Sequence, residues 1–202
     1  MSHPLAEFLF TAAMLRRTPR SGLQFLGSGR ESVAEHVFEV MIVAFTLVRM
    51  VREEGGEIDE NRVLKLCLVH DLPESRTGDL NYVNKKYLKV DEQGALADMC
   101  RPLFFGDELA GLIEEFEARQ SPEARLAADA DQLALMVLLR EESDLGNRQA
   151  DKWLAVAGQR LLTETGRRLA LELKNCDWSS WWFTKDSRHW WINGRVEDKD
   201  GE

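Results

Sequence analysis

A chain of 202 residues, of which 44% are hydrophobic, is long enough to bury a sizeable core and is most economically a single domain. Its net charge of -9 at pH 7 argues against generic binding to a nucleic-acid polymer, which depends on an excess of Lys and Arg. Cys67, Cys100 and Cys176 are scattered and have no CxxC spacing, so they exclude a disulfide framework and favour a reducing cytoplasm.

The pattern of apolar residues predicts helices along nearly the whole chain. No strand pattern and no internal repeat is present, so we predict an all-α fold in one domain. The N-terminal apolar stretch is too short for a secretory signal, and no segment approaches the length of a membrane span, so we expect no membrane partner. The predicted helices cover about residues 5–15, 33–53, 60–71, 91–104, 106–119, 122–140 and 149–174, with loops over 18–30 and 75–90.

Capping residues predict where two of the central helices begin and end. Ser32 is followed three residues later by Glu35, the capping box that starts a long helix. Either Asp59 or Asn61 can cap the next helix. Pro73 disfavours helical geometry in the residue before it, so that helix should end just after His70 and Asp71.

The last part of the chain differs in composition from the rest. We predict a helical domain over residues 1–174 and a Trp-rich extension over 175–202, which holds five of the six Trp. Packing of these rings onto the helical body or onto a second copy is favoured over a binding face. The polar end, residues 197–202, is expected to fray, and His189 is not expected to bind metal.

Two short strings carry the chemistry: ESVAEH, which ends in His36, and HDLPESRTGD, which begins with His70-Asp71. Two imidazoles and two carboxylates can hold a divalent cation with open coordination positions, where water becomes a nucleophile. Each string is weak alone. A lone His on an apolar helix face is more often a hydrogen-bonded core residue, and adjacent helical residues point about 100° apart. For the fourth ligand, Asp131 is preferred because its neighbours place it near the core. Asp129 is the competitor, and a solvated surface position is the alternative for either.

ESVAEH, then HDLPESRTGD with its His 34 residues later, then DADQL resemble the HD-domain phosphohydrolases, and within them the YfbR-like 5'-deoxynucleotidases. Matching motifs run from about Arg16 to Leu145. The resemblance implies a helical, bundle-like HD domain, usually a homodimer, that removes phosphate from deoxynucleoside 5'-monophosphates. It also implies one divalent cation, Co²⁺, Mn²⁺ or another first-row ion, with four ligands: His36, His70, Asp71 and Asp131.

The same resemblance assigns roles around the metal. Glu74 follows His70 by four residues and Asp71 by three, and a carboxylate there can orient a water or take its proton, so it is the expected catalytic acid/base. Asp79 is its expected partner in the active site and contacts the sugar, with help from Thr77. An acidic helix cap is the alternative for Glu74, and a turn or cap residue is the alternative for Asp79.

Arg20 is the expected phosphate contact, because a guanidinium can hold two phosphate oxygens at once. A solvated loop Arg is the alternative. Its string, TPRSGL, departs from the family at Leu23, where Trp is usual, so the nucleotide preference does not carry over. Two other functions stay open: an HD-fold hydrolase of a nucleotide di-, tri- or tetraphosphate, and a non-enzymatic helical binding protein stabilised by metal.

Overall fold

The protein is described by a computed structural model that covers residues 3–184 and 188–193. Within those residues the fold is all-α, as predicted, with one isolated β-bridge and no strand. No helix in this part of the chain combines the length and the apolarity that a bilayer span requires. The α-helices are α1 (Pro4–Ala13), α2 (Leu23–Leu26), α3 (Val33–Glu53), α4 (Glu60–Val69), α5 (Glu74–Thr77), α6 (Glu92–Cys100), α7 (Gly106–Ala118), α8 (Pro122–Asp144), α9 (Arg148–Ala157), α10 (Glu164–Asn175) and α11 (Arg188–Asn193).

Helix α8 is the centre of the fold and packs against α3, α4, α7, α9 and α10. It begins as the sequence predicts: the Ser121 hydroxyl accepts a hydrogen bond from the Ala124 amide, and Pro122 occupies the first turn. Its inward face carries small residues such as Ala127, Ala130 and Ala134, all buried. Small side chains let the neighbouring helices approach closely, and this brings the ends of α3 and α4 to one place beside α8.

The predicted capping box at the start of α3 is confirmed. Ser32 Oγ accepts from the Glu35 amide at 3.2 Å, and the Glu35 carboxylate accepts from the Ser32 amide at 2.7 Å. Asp59, rather than Asn61, caps α4 by accepting from the Arg62 amide at 3.1 Å. These caps set the rotation of both helices, so that the apolar stripes, His36 included, face the core.

The loop before α3 is more ordered than its Gly, Ser and Pro content predicts. It contains the helical turn α2, and its start is tied to the start of α3 by an antiparallel bridge between Pro19 and Ser32. The Arg20 amide donates to the Glu31 carbonyl at 2.9 Å, and the Val33 amide donates to the Thr18 carbonyl at 2.9 Å. This bridge holds the backbone of Arg20 beside the helix that carries His36.

The single helix predicted over 149–174 is wrong, because the chain breaks into α9 and α10 at residues 161–163. Thr163 caps α10, and the Asp129 carboxylate of α8 accepts from the amides of Leu162 and Thr163, at 2.6 and 2.8 Å, and from the Thr163 hydroxyl at 2.5 Å. Asp129 is fully buried, so a solvated position is also wrong for it. A buried carboxylate that accepts three hydrogen bonds holds the break in place.

Removing this carboxylate should destabilise the fold. We expect Asp129→Ala to lower the free energy of unfolding by about 2–4 kcal/mol, because it leaves two amides and a hydroxyl unpaired in the interior. Urea unfolding followed by circular dichroism measures the change. Asp98→Ala is the control, since the Asp98 side chain is 59% exposed and pairs only with Arg101 on its own helix surface. Equal stability of the two variants would contradict this account of the break.

The described part of the Trp-rich extension forms a small aromatic cluster. The ring of Trp182 lies 5.8 Å from that of Trp178 and 5.4 Å from that of Trp191, measured between centroids. The Trp178 amide donates to Asp144 at the end of α8, at 2.9 Å, which ties the cluster to the helical body. Residues 197–202 and the side chain of His189 lie outside the described residues.

Candidate active site

His70 and Asp71 lie at the end of α4, where the sequence places them, and their side chains converge. His70 Nδ1 donates to the carbonyl oxygen of Cys67 at 2.8 Å. A carbonyl only accepts, so Nδ1 carries a proton, and Nε2 is the nitrogen that would bind a metal. His70 Nε2 lies 3.3 Å from Asp71 Oδ2. His70 is the C-cap of α4 and keeps helical dihedral angles, with φ -56° and ψ -39°.

His36 reaches the same point from α3. Its Nε2 atom lies 3.9 Å from Asp71 Oδ2 and 2.9 Å from Asp131 Oδ1. His36, His70 and Asp71 each offer one ligand atom within 4.8 Å of the others. Two atoms that bind the same first-row ion at about 2.1 Å lie about 3.0–3.4 Å apart at tetrahedral or octahedral angles. The separation of 3.3 Å for His70–Asp71 lies within that range, the 2.9 Å for His36–Asp131 lies just below it, and the 3.9 Å for His36–Asp71 lies above it.

Unpaired polar atoms in the site support the same conclusion. His70 Nε2 and Asp71 Oδ2 are buried and have no hydrogen-bond partner. A buried polar group without a partner is costly, and a cation between these two atoms would satisfy both. The residues present therefore fit a divalent metal ion.

The electrostatics of the site are strongly negative. Five carboxylates surround one Arg side chain: Glu31, Asp71, Glu74, Asp79 and Asp131. Burial disfavours the charged form of His70, but the adjacent carboxylate of Asp71 outweighs it and raises the pKa of His70 to about 9. Burial likewise opposes ionisation of Asp131, yet the hydrogen bond from His36 holds the pKa of Asp131 well below its usual value. The same negative field would attract a divalent cation.

Of the two acidic residues in DADQL, Asp131 is the one that faces the site. Its Oδ1 contacts His36, and its Oδ2 accepts from the Gln132 side-chain amide at 3.0 Å. Asp129, two residues earlier, points toward the α9–α10 break instead. Asp131 lies outside the compact group formed by His36, His70 and Asp71 and joins it through His36.

Glu74 and Thr77, both on α5, line an open cleft of about 580 Å³ that also contains His70, Asp71, Asp79 and Asp131. Glu74 Oε2 is buried and has no hydrogen-bond partner. Burial, together with the negative charges of Asp71 and Asp79, raises the pKa of Glu74 to about 8. The Thr77 hydroxyl lies 3.3 Å from the Pro73 carbonyl and 3.2 Å from the Gly78 carbonyl, so it donates to the backbone and can only accept from a ligand.

Arg20 lies above the same cleft, surrounded by acidic side chains. Its guanidinium nitrogens lie 3.5 Å from Asp71, 3.7 Å from Asp79 and 3.9 Å from Glu31. Burial opposes its charge, but these carboxylates, with Asp131, raise the pKa of Arg20 further. All three distances exceed an ordinary N–H···O bond of about 2.9–3.0 Å. The N–H donors of Arg20 are therefore held in place and stay available to an anion.

The structure adds two residues, Glu31 and Asn81, that were not predicted to belong to the site. The Glu31 carboxylate lies 4.0 Å from His36 Nδ1 as well as beside Arg20, and burial raises the pKa of Glu31 to about 7. Asn81 is buried, and its side-chain amide donates to Ser21 Oγ at 3.1 Å. The Ser21 amide in turn donates to Asp79 at 2.9 Å. Glu31 opens the string ESVAEH, but no spacing rule in the sequence marks either residue.

The family model for the HD domain matches residues 12–169. The chain belongs to the HD domain family. A relative from Danio rerio named 5'-deoxynucleotidase HDDC2 is 29% identical over 147 residues, which is 70% of each chain. A relative from Escherichia coli named 5'-deoxynucleotidase YfbR is 34% identical over 130 residues, 59% of this chain and 64% of the relative.

Solved structures agree with the sequence relatives. A structure described as a predicted metal-dependent phosphohydrolase from Magnetospirillum magnetotacticum MS-1 is 25% identical, with a TM-score of 0.63 over 84% of this chain and 91% of the other. The resemblance to HD-domain phosphohydrolases, predicted from three short motifs, is therefore confirmed. All four predicted ligands, with Arg20, Glu74, Thr77 and Asp79, lie inside the matched HD domain, whereas the whole Trp-rich extension lies beyond it.

Proposed function

We propose that this HD domain is a phosphomonoesterase that uses one divalent metal ion to release phosphate from deoxynucleoside 5'-monophosphates. The observation that carries the proposal is the convergence of buried His36 with His70 and Asp71, the latter two in the wall of a cleft that Arg20 and Glu74 also line. The names of the relatives from Danio rerio and Escherichia coli support the same substrate class.

His36, His70, Asp71 and Asp131 are the proposed metal ligands. Mixed nitrogen and oxygen ligands accept several first-row ions, so Co²⁺ and Mn²⁺ are the leading candidates, and availability decides between them. A bound divalent cation supplies Lewis acidity, which lowers the pKa of water and offsets charge on the phosphoryl oxygens. The Cys67 carbonyl and the Gln132 amide orient His70 and Asp131 for this role.

Arg20 and Asp79 are the proposed substrate contacts. The guanidinium of Arg20 donates to two phosphoryl oxygens and stabilises the charge that develops on them. Asp79, held by the Ser21 amide, accepts a hydrogen bond from the 3'-hydroxyl of the sugar. Thr77 offers its hydroxyl oxygen as an acceptor at the same edge of the cleft.

Glu74 is the proposed acid/base. In the reaction, water attacks phosphorus, the bond from phosphorus to the 5'-oxygen breaks, and the nucleoside leaves with a proton on that oxygen. The ionised form of Glu74, whose share rises as the pH approaches the pKa of about 8, accepts the proton of the attacking water and returns one to the 5'-oxygen. Oε2 has no hydrogen-bond partner among the residues that the structure describes, so it is available for this transfer.

A phosphate-release assay tests the proposal. The panel holds ribo- and deoxynucleoside 5'-monophosphates and the corresponding triphosphates, each with Co²⁺, Mn²⁺, Mg²⁺ or Zn²⁺. We expect turnover of the deoxynucleoside monophosphates with Co²⁺ or Mn²⁺, and at least a 100-fold loss after chelation, on the order of 3 kcal/mol of lost stabilisation. Metal analysis should find about one ion per chain. Metal-loaded protein that releases no phosphate from any monophosphate, or that prefers triphosphates, would overturn the proposal.

The proposal extends to assembly and location. A homodimer is supported by Phe38, Ile42 and Phe45, which form an exposed apolar row on the outer face of α3. A reducing cytoplasm is supported by the free thiols at Cys67, Cys100 and Cys176.

We also propose that the helical domain ends near residue 174 and that 175–202 form a separate extension, since α10 ends at Asn175 and the family match ends at residue 169.

A further inference from the structure

A second cavity, of about 420 Å³, borders the metal-binding cleft. The two share Arg20, Asp79, Leu135 and Arg160 in their walls, so they lie side by side. Its volume falls within the range of ligand pockets, roughly 300–1,000 Å³. The second cavity holds no predicted metal ligand, so a different part of the substrate would occupy it.

The wall of this cavity away from the metal ligands is apolar and aromatic. It is formed by Leu23, next to the loop that carries Arg20, and by Trp153 and Val156 of α9. A Cβ placed on Gly22 would lie 3.9 Å from Cη2 of Trp153, in ordinary contact, so the six-membered ring lies against this loop. The sequence offers no aromatic residue at position 23, but the structure places Trp153 beside it.

Two features of α9 fix the position of Trp153. Asn147, which caps α9, donates to the Leu26 carbonyl at 2.9 Å and thereby attaches the helix to the loop. Ala150 and Leu154 are buried and face the core. Trp153 and Val156, three residues apart, therefore face the cavity.

We propose that Trp153 forms the wall against which the nucleobase of the substrate stacks, and that it is a specificity-determining residue on α9. This inference rests on the proposed function. The order of groups along the two cavities is metal ligands, then Arg20 and Asp79, then Trp153. A nucleoside 5'-monophosphate presents phosphate, sugar and base in that same order. Stacking on an aromatic side chain stabilises a bound base through its flat face.

The test compares a substrate that has a base with one that lacks it. Wild-type protein, Trp153→Ala and Trp153→Phe are assayed with deoxyadenosine 5'-monophosphate and with 2-deoxyribose 5-phosphate, all loaded with Mn²⁺. For Trp153→Ala we expect kcat/KM on the nucleotide to fall on the order of 10- to 100-fold, mainly through KM. Activity on 2-deoxyribose 5-phosphate should not change, and Trp153→Phe should recover most of the loss. Trp181→Ala is the control, since its side chain is 80% exposed and lies outside the cavity.

A second variant does not depend on removing the ring. Val156→Trp fills the cavity from a position that is 50% exposed, and it should exclude the nucleotide while sparing 2-deoxyribose 5-phosphate. Equal losses on both substrates, or no loss on the nucleotide, would overturn the proposal. If the wild-type protein cleaves neither substrate, the proposed function fails. Calorimetric binding of deoxyadenosine to wild type and Trp153→Ala then decides the base site, which stands if only wild type binds and falls if both or neither bind.

Discussion

Replacing Asp71 with Asn should remove metal binding and lower kcat/KM for phosphate release by at least about 1,000-fold. Asp71 is the common neighbour of the site: its Oδ2 lies 3.3 Å from His70 Nε2, 3.9 Å from His36 Nε2 and 3.5 Å from Arg20. An amide at this position keeps the shape of the side chain but loses the charge that binds the cation. Metal content measured on purified protein and the rate of phosphate release test this together.

The fold itself should tolerate the change. Asp71 Oδ2 accepts no hydrogen bond from the described residues, so an amide of the same shape breaks none. We expect Mn²⁺ to raise the melting temperature of the wild-type protein, through preferential binding to the folded state, and to leave that of Asp71→Asn unchanged. Asp98→Asn, the same chemical change at an exposed position, is the control. Full metal content and full turnover in Asp71→Asn would rule out Asp71 as a ligand.

Replacing Glu74 with Gln should separate proton transfer from metal binding. General acid/base catalysis contributes about 10²–10⁴-fold to a rate, and we expect kcat to fall within that range. Glutamine preserves the volume of the side chain and leaves His36, His70 and Asp71 in place, so the metal content should stay at the wild-type level. Single-turnover phosphate release gives the chemical step directly.

Metal content distinguishes the two variants, because Asp71→Asn should lose the metal and Glu74→Gln should keep it. Glu164→Gln serves as the control for Glu74→Gln, since the Glu164 side chain is 79% exposed on α10 and far from the cleft. If Glu74→Gln loses metal in the same proportion as activity, Glu74 belongs to the metal site. If kcat falls less than about threefold, another group moves the proton, and the acid/base assignment is wrong.

Most features that depend on neighbouring residues were predicted from the sequence. The capping box of Ser32 and Glu35 was predicted correctly, and Asp59 was one of the two candidate caps of α4. The end of α4, predicted just after Asp71, lies at Val69. The three strings that contain His36, His70 and Asp131 also sufficed to predict the HD domain, but their spacing could not show that the side chains of His70 and Asp71 converge.

Features that depend on contacts between distant segments were missed or left open. The apolar neighbours in the sequence favoured Asp131 over Asp129 as a ligand, but only the packing of α8 shows that Asp129 reaches the α9–α10 break and Asp131 reaches His36. The break at residues 161–163 was missed because the carboxylate that holds it lies more than thirty residues away in the sequence. Trp153 was not predicted as a site residue, because the loop that it contacts, at Gly22, lies far away from it in the sequence.

The amino-acid sequence by itself therefore determined the helical class, the main helix ends and the three strings that identify the HD domain. Local hydrogen bonds and apolar periodicity set these, and both act over a few residues. The tertiary structure alone decided which carboxylates reach the site, how Arg20 is held above it and which aromatic ring borders the cavity. Those outcomes depend on close packing of α3, α4 and α9 around α8, which brings together residues that are far apart in the sequence.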